Sequence, residues 1–149
     1  MRIRRRTLLE AGLALITLTG LPALLRAAPW PRQAFASEAA RDALVNLYGT
    51  DSIPASDQIE LSLPLIAENG SVVPVSVSTT LDDVRSISLV VENNPRPLAA
   101  SFEILKGTVP AIDCRIKMGA SSNVIAVVQT AGGLHSTSKE VTVTVGGCS

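Results

Sequence analysis

The sequence has little of what most catalytic and metal sites require. It contains one histidine and two cysteines in 149 residues, and it has no Cys-x-x-Cys pair, haem-attachment sequence or glycine-rich phosphate loop. A lone histidine makes neither a metal site nor a catalytic triad, and His135, which follows Gly132-Gly133, is expected in a solvated loop. We therefore expect no catalytic residue, no bound metal and no cofactor.

Aromatic residues and net charge are also scarce. Aromatics make up 3% of the chain, but 46% of residues are apolar, so one domain can build its core from valine, isoleucine, leucine and alanine. The formal net charge is zero, yet residues 1–27 hold five basic groups and one acid, which leaves eight basic and twelve acidic residues in the remainder. A mildly acidic domain gives no support for binding to nucleic acid or to an anionic membrane.

The first residues have the pattern of an export signal. Arg4-Arg5-Arg6-Thr7-Leu8-Leu9-Glu10 matches the twin-arginine motif, and an apolar run interrupted by two glycines and a proline follows from Ala11 to Leu25. Such a run is too short for a good membrane span and is typical of a signal peptide. We predict a Tat-type signal over residues 1–28 and a periplasmic protein without membrane attachment after cleavage. A signal anchor or an ordinary Sec signal is the alternative.

The next segment, residues 29–58, is predicted to contain one helix and a connector. Apolar residues with helical spacing lie between Ser37, which is placed to be the N-cap, and Gly49, which is placed to end the helix.

From residue 59 the apolar residues alternate with polar ones, as they do in half-buried strands. The first two predicted strands, Ile59–Leu65 and Val73–Val77, flank Asn69-Gly70, a pair that predicts a tight hairpin. Five more strands are predicted over residues 87–91, 98–104, 112–118, 124–128 and 141–145. About seven short strands without crossover helices predict a mainly β fold, an immunoglobulin-like antiparallel β-sandwich over residues 59–145.

A short arm, residues 146–149, is predicted after the last strand. Gly146 and Gly147 supply flexibility, and when extended they place the sulfur of Cys148 about 10–13 Å beyond Val145. This geometry suits a thiol presented to other proteins, so Cys148 is the candidate for covalent attachment. Because no His, Lys or Arg lies near it in the sequence, the thiol is expected to be unactivated until it enters a partner's active site.

Two other interpretations of Cys148 stay open. It can pair with Cys114 in a structural disulfide, since an exported chain enters an oxidising space, or it can be incidental at the terminus. Cys114 alternates with Ile112 and Ile116 and is expected to point into the core as a small apolar residue, which argues against the disulfide.

Several stretches of the chain, together with the Tat-type precursor, resemble the SoxY family. They are Ile66–Gly70 followed by Val73-Pro74-Val75, then Val91–Ala99 with its Asn-Asn-Pro-Arg-Pro sequence, and Val143–Cys148. The resemblance implies a sulfur carrier of periplasmic thiosulfate oxidation, which forms a heterodimer with a SoxZ-like subunit and holds sulfur intermediates on Cys148. It also implies that a SoxAX-like haem enzyme, a SoxB-like hydrolase and, in some organisms, a sulfane dehydrogenase act on the carrier, which itself catalyses nothing.

The tail departs from the family pattern in one respect. The family usually has Gly-Gly-Cys-Gly-Gly, whereas Cys148 is followed here by Ser149, and Cys114 matches no reactive position of the family. The alternative function is a non-catalytic periplasmic binding or assembly subunit whose cysteines are structural. A third possibility, a sulfurtransferase enzyme, is disfavoured by the missing activating groups.

Overall fold

The structure is a computed structural model that describes residues 30–144. The predicted signal peptide and the predicted arm with Gly146, Gly147 and Cys148 lie outside the described residues. The described chain begins with two helices, α1 (Arg32–Ala36) and α2 (Ala40–Tyr48). Eight strands follow: β1 (Ile59–Ser62), β2 (Ile66–Ala67), β3 (Val73–Thr79), β4 (Val84–Val91), β5 (Leu98–Glu103), β6 (Ala111–Ile116), β7 (Ser122–Thr130) and β8 (Gly133–Val143).

The strands form two sheets that pack face to face. One sheet has the order β1-β3-β6 and the other the order β2-β8-β7-β4-β5. All the pairings between these strands are antiparallel except that of β2 with β8, which is parallel. The prediction of a mainly β, immunoglobulin-like sandwich with a helical N-terminal segment is therefore confirmed, with β2 as an additional short strand.

The core between the sheets is aliphatic, as the scarcity of aromatics requires. Alternate residues of each strand point inward, so Leu61 and Val75 of one sheet meet Leu89 and Val128 of the other, and Met118 fills space beside them. All of these side chains are almost completely buried. Burying each one contributes roughly 1.5–3 kcal/mol before the entropic cost of ordering the chain.

The two helices cover the outer face of the larger sheet. Ala34 of α1 and Leu44 of α2 pack with Val90 and Val127, which point away from the main core. This second layer explains why the residues of β4 from Ser86 to Val91 are all buried rather than alternately buried and exposed, because both faces of the strand are covered. Tyr48 anchors α2 by donating a hydrogen bond to Ser88 Oγ at 2.7 Å, and burial raises the pKa of its hydroxyl above the ordinary value.

The predicted start of the helix was wrong. Ser37 instead follows α1, where its hydroxyl donates to the Gln33 carbonyl at 2.9 Å and accepts from Asn46 Nδ2 at 3.0 Å. Ala39 precedes α2 and provides no side-chain cap. The predicted end at Gly49 is confirmed, because this residue adopts the left-handed conformation with φ of 80°.

The predicted tight hairpin at Asn69-Gly70 was also wrong. β1 and β3 do pair antiparallel, but residues 63–72 between them cross to the other sheet, where β2 lies beside β8. The first strand ends at Ser62, before Pro64, which has no N–H to continue a strand ladder. Asn69 forms a local turn instead, in which its Oδ1 accepts the Ser71 N–H at 2.9 Å.

Candidate functional site

The last described strand, β8, determines where the predicted arm leaves the fold. β8 has 11 residues and pairs with β7 from Gly133 to Val141, and the Val141 side chain is fully buried. Cys148 comes five residues after the end of this strand. Strand pairing and core burial together therefore hold the backbone almost to the start of the predicted arm.

Hydrogen bonds from both sides hold the three residues Thr142–Thr144, which we call the arm root. On one side, Thr142 N–H donates to the Leu65 carbonyl at 2.9 Å and Thr144 N–H donates to the Ala67 carbonyl at 3.1 Å. On the other side, Val143 N–H donates to Ser121 Oγ at 2.9 Å. The arm root is thus fixed between β2 and the loop that precedes β7.

The Asn-Asn-Pro turn after β4 supports this loop. Asn93 Nδ2 donates to the Ser121 carbonyl at 2.8 Å. Asn94 donates to the Lys117 carbonyl at 2.7 Å and accepts the Gly119 N–H at 2.9 Å. In the sequence this motif contributes to the family resemblance. Its role could not be found from the sequence, because its partners are mostly backbone atoms more than twenty residues further along the chain.

Chain length limits the distance between the arm root and the predicted attachment site. Cys148 is four residues beyond Thr144, and an extended chain spans at most about 3.3–3.6 Å per residue. Its Cα therefore lies within about 14 Å of the Thr144 Cα in any conformation. The roles predicted for Cys148, Gly146 and Gly147 fall outside the described residues and stay predictions.

The other cysteine, Cys114, lies in β6 and has different surroundings. It is free, half-buried and packed against the core, and it lines a largely apolar cavity of about 660 Å³ between the edge strands β5 and β6. Burial, followed by the charge of neighbouring Asp113, raises the pKa of the Cys114 thiol. The expectation that it packs as a small apolar residue is met in part, because one side faces the cavity.

The other residues singled out in the sequence, His135, Asp82 and Asp83, do not form a site. His135 lies in β8 opposite Val128 and is half-buried, so the prediction of a solvated loop was wrong. Asp82 and Asp83 are exposed in the turn before β4, as expected. Within residues 30–144 no three His, Cys, Asp or Glu side chains are grouped closely enough to hold a metal ion. In the same range, no helix is long and apolar enough to cross a membrane.

Comparison with known proteins adds to this geometry. The family model described as sulfur oxidation protein SoxY matches residues 44–148. The solved structure of the sulfur carrier protein SoxY from Chlorobium limicola f thiosulfatophilum is 36% identical, with a TM-score of 0.63, over 70% of this chain and 94% of that chain. The chain belongs to the SoxY family. The resemblance noted in the sequence is therefore confirmed, and family membership places the chain among sulfur-oxidation proteins.

A more distant likeness concerns the fold alone. The superoxide reductase (neelaredoxin) from Ignicoccus hospitalis is 18% identical, with a TM-score of 0.52, over 58% of this chain and 80% of that chain. No curated protein sequence matches the chain significantly. The SoxY family match extends to Cys148 and so includes the predicted attachment site.

Proposed function

We propose that this chain is a covalent sulfur carrier of periplasmic thiosulfate oxidation, with the sulfur intermediates attached to the Cys148 thiol. The observation that carries the proposal is the firmly held arm root, which ends four residues before Cys148 in a chain whose match to SoxY continues through that residue. Gly146 and Gly147 supply the rotational freedom between the root and the thiol.

A carrier of this kind needs a fixed base and a reactive end that other proteins can reach. The root residues provide the base, because three backbone N–H groups donate to the Leu65 and Ala67 carbonyls and to Ser121 Oγ. The chain length then limits the thiol to a radius of about 14 Å, measured between Cα atoms. Partner enzymes supply the chemistry, so the carrier requires no activating group of its own beside the thiol.

The reaction sequence balances when partner enzymes act on the thiol. Cys148–SH and thiosulfate give Cys148–S–S–SO₃⁻, a proton and two electrons, and the electrons pass to the haem of a SoxAX-like enzyme. A SoxB-like hydrolase then adds water across the terminal S–SO₃ bond and releases sulfate and a proton, which leaves the persulfide Cys148–S–SH. A sulfane dehydrogenase, where present, oxidises the remaining sulfur.

The proposal includes export and a permanent partner. A Tat-type signal suits export in the folded state, and this chain has no cofactor motif that would require folding before export. The other reason for folded export is a bound partner that has no signal of its own, and we assign that role to a SoxZ-like subunit. The alternative is a non-catalytic binding or assembly subunit in which Cys148 and Cys114 form a structural disulfide. In that case the Cys148 thiol is never free to accept sulfur.

The two cysteines provide the test, since Cys114→Ser is a matched control for Cys148→Ser. The intact mass of the mature protein is measured after incubation with thiosulfate and the Sox enzymes, before and after reduction. We expect a reductant-labile adduct on the wild type and on Cys114→Ser, and none on Cys148→Ser. An adduct on Cys148→Ser would contradict the proposal, and so would a wild-type mass two hydrogens lighter, localised to a Cys114–Cys148 bond.

A further inference from the structure

Exposed apolar side chains are concentrated beside the arm root. Seven large apolar residues are exposed in the described part of the chain, and three of them lie in the segment of residues 65–72. Leu65 is 71% exposed, Ile66 63% and Val72 52%. Ala67 takes the inward position of β2, so the neighbouring Ile66 is left on the surface.

This segment is in direct contact with the root. Ile66 lies opposite Thr142, and the Leu65 carbonyl accepts the Thr142 N–H at 2.9 Å. The exposed side chains of Leu65 and Ile66 therefore lie beside the start of the arm. Together with Val72, further along the same segment, we call them the root patch (Leu65, Ile66 and Val72).

The length of the arm determines which proteins must touch this surface. Any enzyme that acts on Cys148 has to bring its reacting groups to within about 14 Å of Thr144, plus the length of one side chain. A folded enzyme that approaches so closely contacts the surface around the root. On that surface the root patch offers the exposed apolar area, and its burial favours association by about 25 cal/mol per Å².

The size of the patch indicates a transient partner. A stable subunit interface buries about 1,200–2,000 Å² in total, which three side chains cannot supply. A carrier that visits several enzymes in turn needs contacts that are quickly broken, and a small apolar patch beside a tethered reactive group fulfils that need.

We infer that the root patch is the docking surface for the enzymes that load and unload Cys148, which contact it through an apolar rim at the mouth of their active sites. This inference rests on the proposed function. It adds a binding role for Leu65 and Ile66, two exposed residues whose apolar side chains belong to neither core cluster.

The test compares two double variants with matched exposure. Leu65→Ser/Ile66→Ser removes most of the root patch, and Leu105→Ser/Val109→Ser removes side chains that are 71% and 76% exposed at the other end of the sandwich. Steady-state kinetics of the haem enzyme and of the sulfate-releasing hydrolase are measured with each full-length carrier as substrate. We expect the first variant to raise KM about tenfold without changing kcat, and the second to change KM less than twofold.

Three results would overturn the docking role. They are an unchanged KM in the root-patch variant, an equal rise in both double variants, and loss of the SoxZ-like subunit from the root-patch variant on size exclusion, which would make the patch a subunit interface. Alkylation of Cys148 by iodoacetamide is measured in parallel and is expected to be equally fast in all variants. If the carrier proposal itself fails, the wild type acquires no sulfur adduct. If only the docking role fails, the adduct forms equally well on both variants.

Discussion

At the end of the sandwich where β8 finishes, side-chain hydrogen bonds join three separate segments, whereas at the opposite end the side chain of Thr130 bonds only within the turn between β7 and β8. Asn93, Asn94 and Ser121 make the first set of bonds, to Lys117, Gly119 and Val143 among others. At the other end, the hydroxyl of Thr130 accepts the Gly132 N–H and donates to the Gly133 carbonyl, both at 3.1 Å. We call these regions the arm end and the hairpin end.

The difference lies in the distance along the sequence between the bonded residues. The hairpin end only has to reverse the chain, and a threonine with two glycines suffices. The arm end has to keep the last strand in place while the following residues present a thiol. Bonds between segments distant in the sequence hold those segments together, whereas bonds within one turn hold only that turn, so the comparison can be tested by substitution at each end.

The largest effect is expected for Asn94→Ala at the arm end. This change leaves the Lys117 carbonyl and the Gly119 N–H without their side-chain partner, so we expect the free energy of unfolding to fall by about 1–3 kcal/mol. Denaturant unfolding measures it. The control Thr130→Val also removes two bonds, but to the exposed Gly132 and Gly133, and should cost about 1 kcal/mol or less. An equal loss in both variants would show that the two ends do not differ.

A smaller and more local effect is expected for Ser121→Ala. The Val143 N–H loses its acceptor but can bond to water, so the global stability should fall by less than about 1 kcal/mol. Hydrogen exchange of the Val143 amide should accelerate several-fold, because the arm root opens more readily. Ser86→Ala, which removes a bond to Gln129 near the hairpin end, serves as the control. The interpretation fails if that variant accelerates exchange at Val143 to the same extent.

The smallest effect concerns the dependence of stability on alkaline pH through Cys114, which lies within β6 opposite Val75. Its raised pKa means that the folded protein holds the thiol proton at pH values where an unfolded chain releases it. The stabilisation is complete below the pKa of the unfolded thiol and is lost as the pH rises through that of the folded thiol. Stability should therefore decline slightly above about pH 8.5, and Cys114→Ala should remove this decline.

Alkylation of the wild type provides a second measurement of the same shift. The rate at Cys114 should rise at a higher pH than the rate of an unhindered model thiol. Iodoacetamide labelling over a pH series, with peptide mass analysis, follows the two cysteines separately. Coincident profiles for Cys114 and the model thiol would contradict the shift.

Much of the fold could be predicted from the sequence, because a core built from alternating aliphatic residues leaves a clear period of two. The runs in β3 and β4 were found in this way, whereas the helix end was found from Gly49 itself, a residue that favours the left-handed conformation. β2 was missed, since a strand of two residues has no period and depends on its pairing with β8. The first part of β8 was missed because residues 134–137 are all half-buried and residues 138–140 all exposed, so this part of the strand shows no alternation.

The candidate site, like the fold, could be predicted from the sequence only in part. Cys148 and its two glycines were apparent as sequence, because a reactive residue beside Gly-Gly needs no tertiary partner to be recognised. The support of the arm root was not apparent. It depends on Ser121 and on carbonyl groups of β2, which come close to Val143 and Thr144 only after the two sheets have formed. Nothing local in the sequence of either segment reports that contact.

The place of β8 in the larger sheet has a consequence for biosynthesis. β8 lies between β2 and β7, so the strand that leaves the ribosome last among those described occupies an interior position of the sheet. A nascent chain that lacks it leaves β2 without a neighbour and one side of β7 unpaired. Because domains fold as units, the sheet is completed only after translation has passed Val143. The thiol is thus attached to a body whose folding depends on the segment immediately before it, and a prematurely terminated chain yields neither.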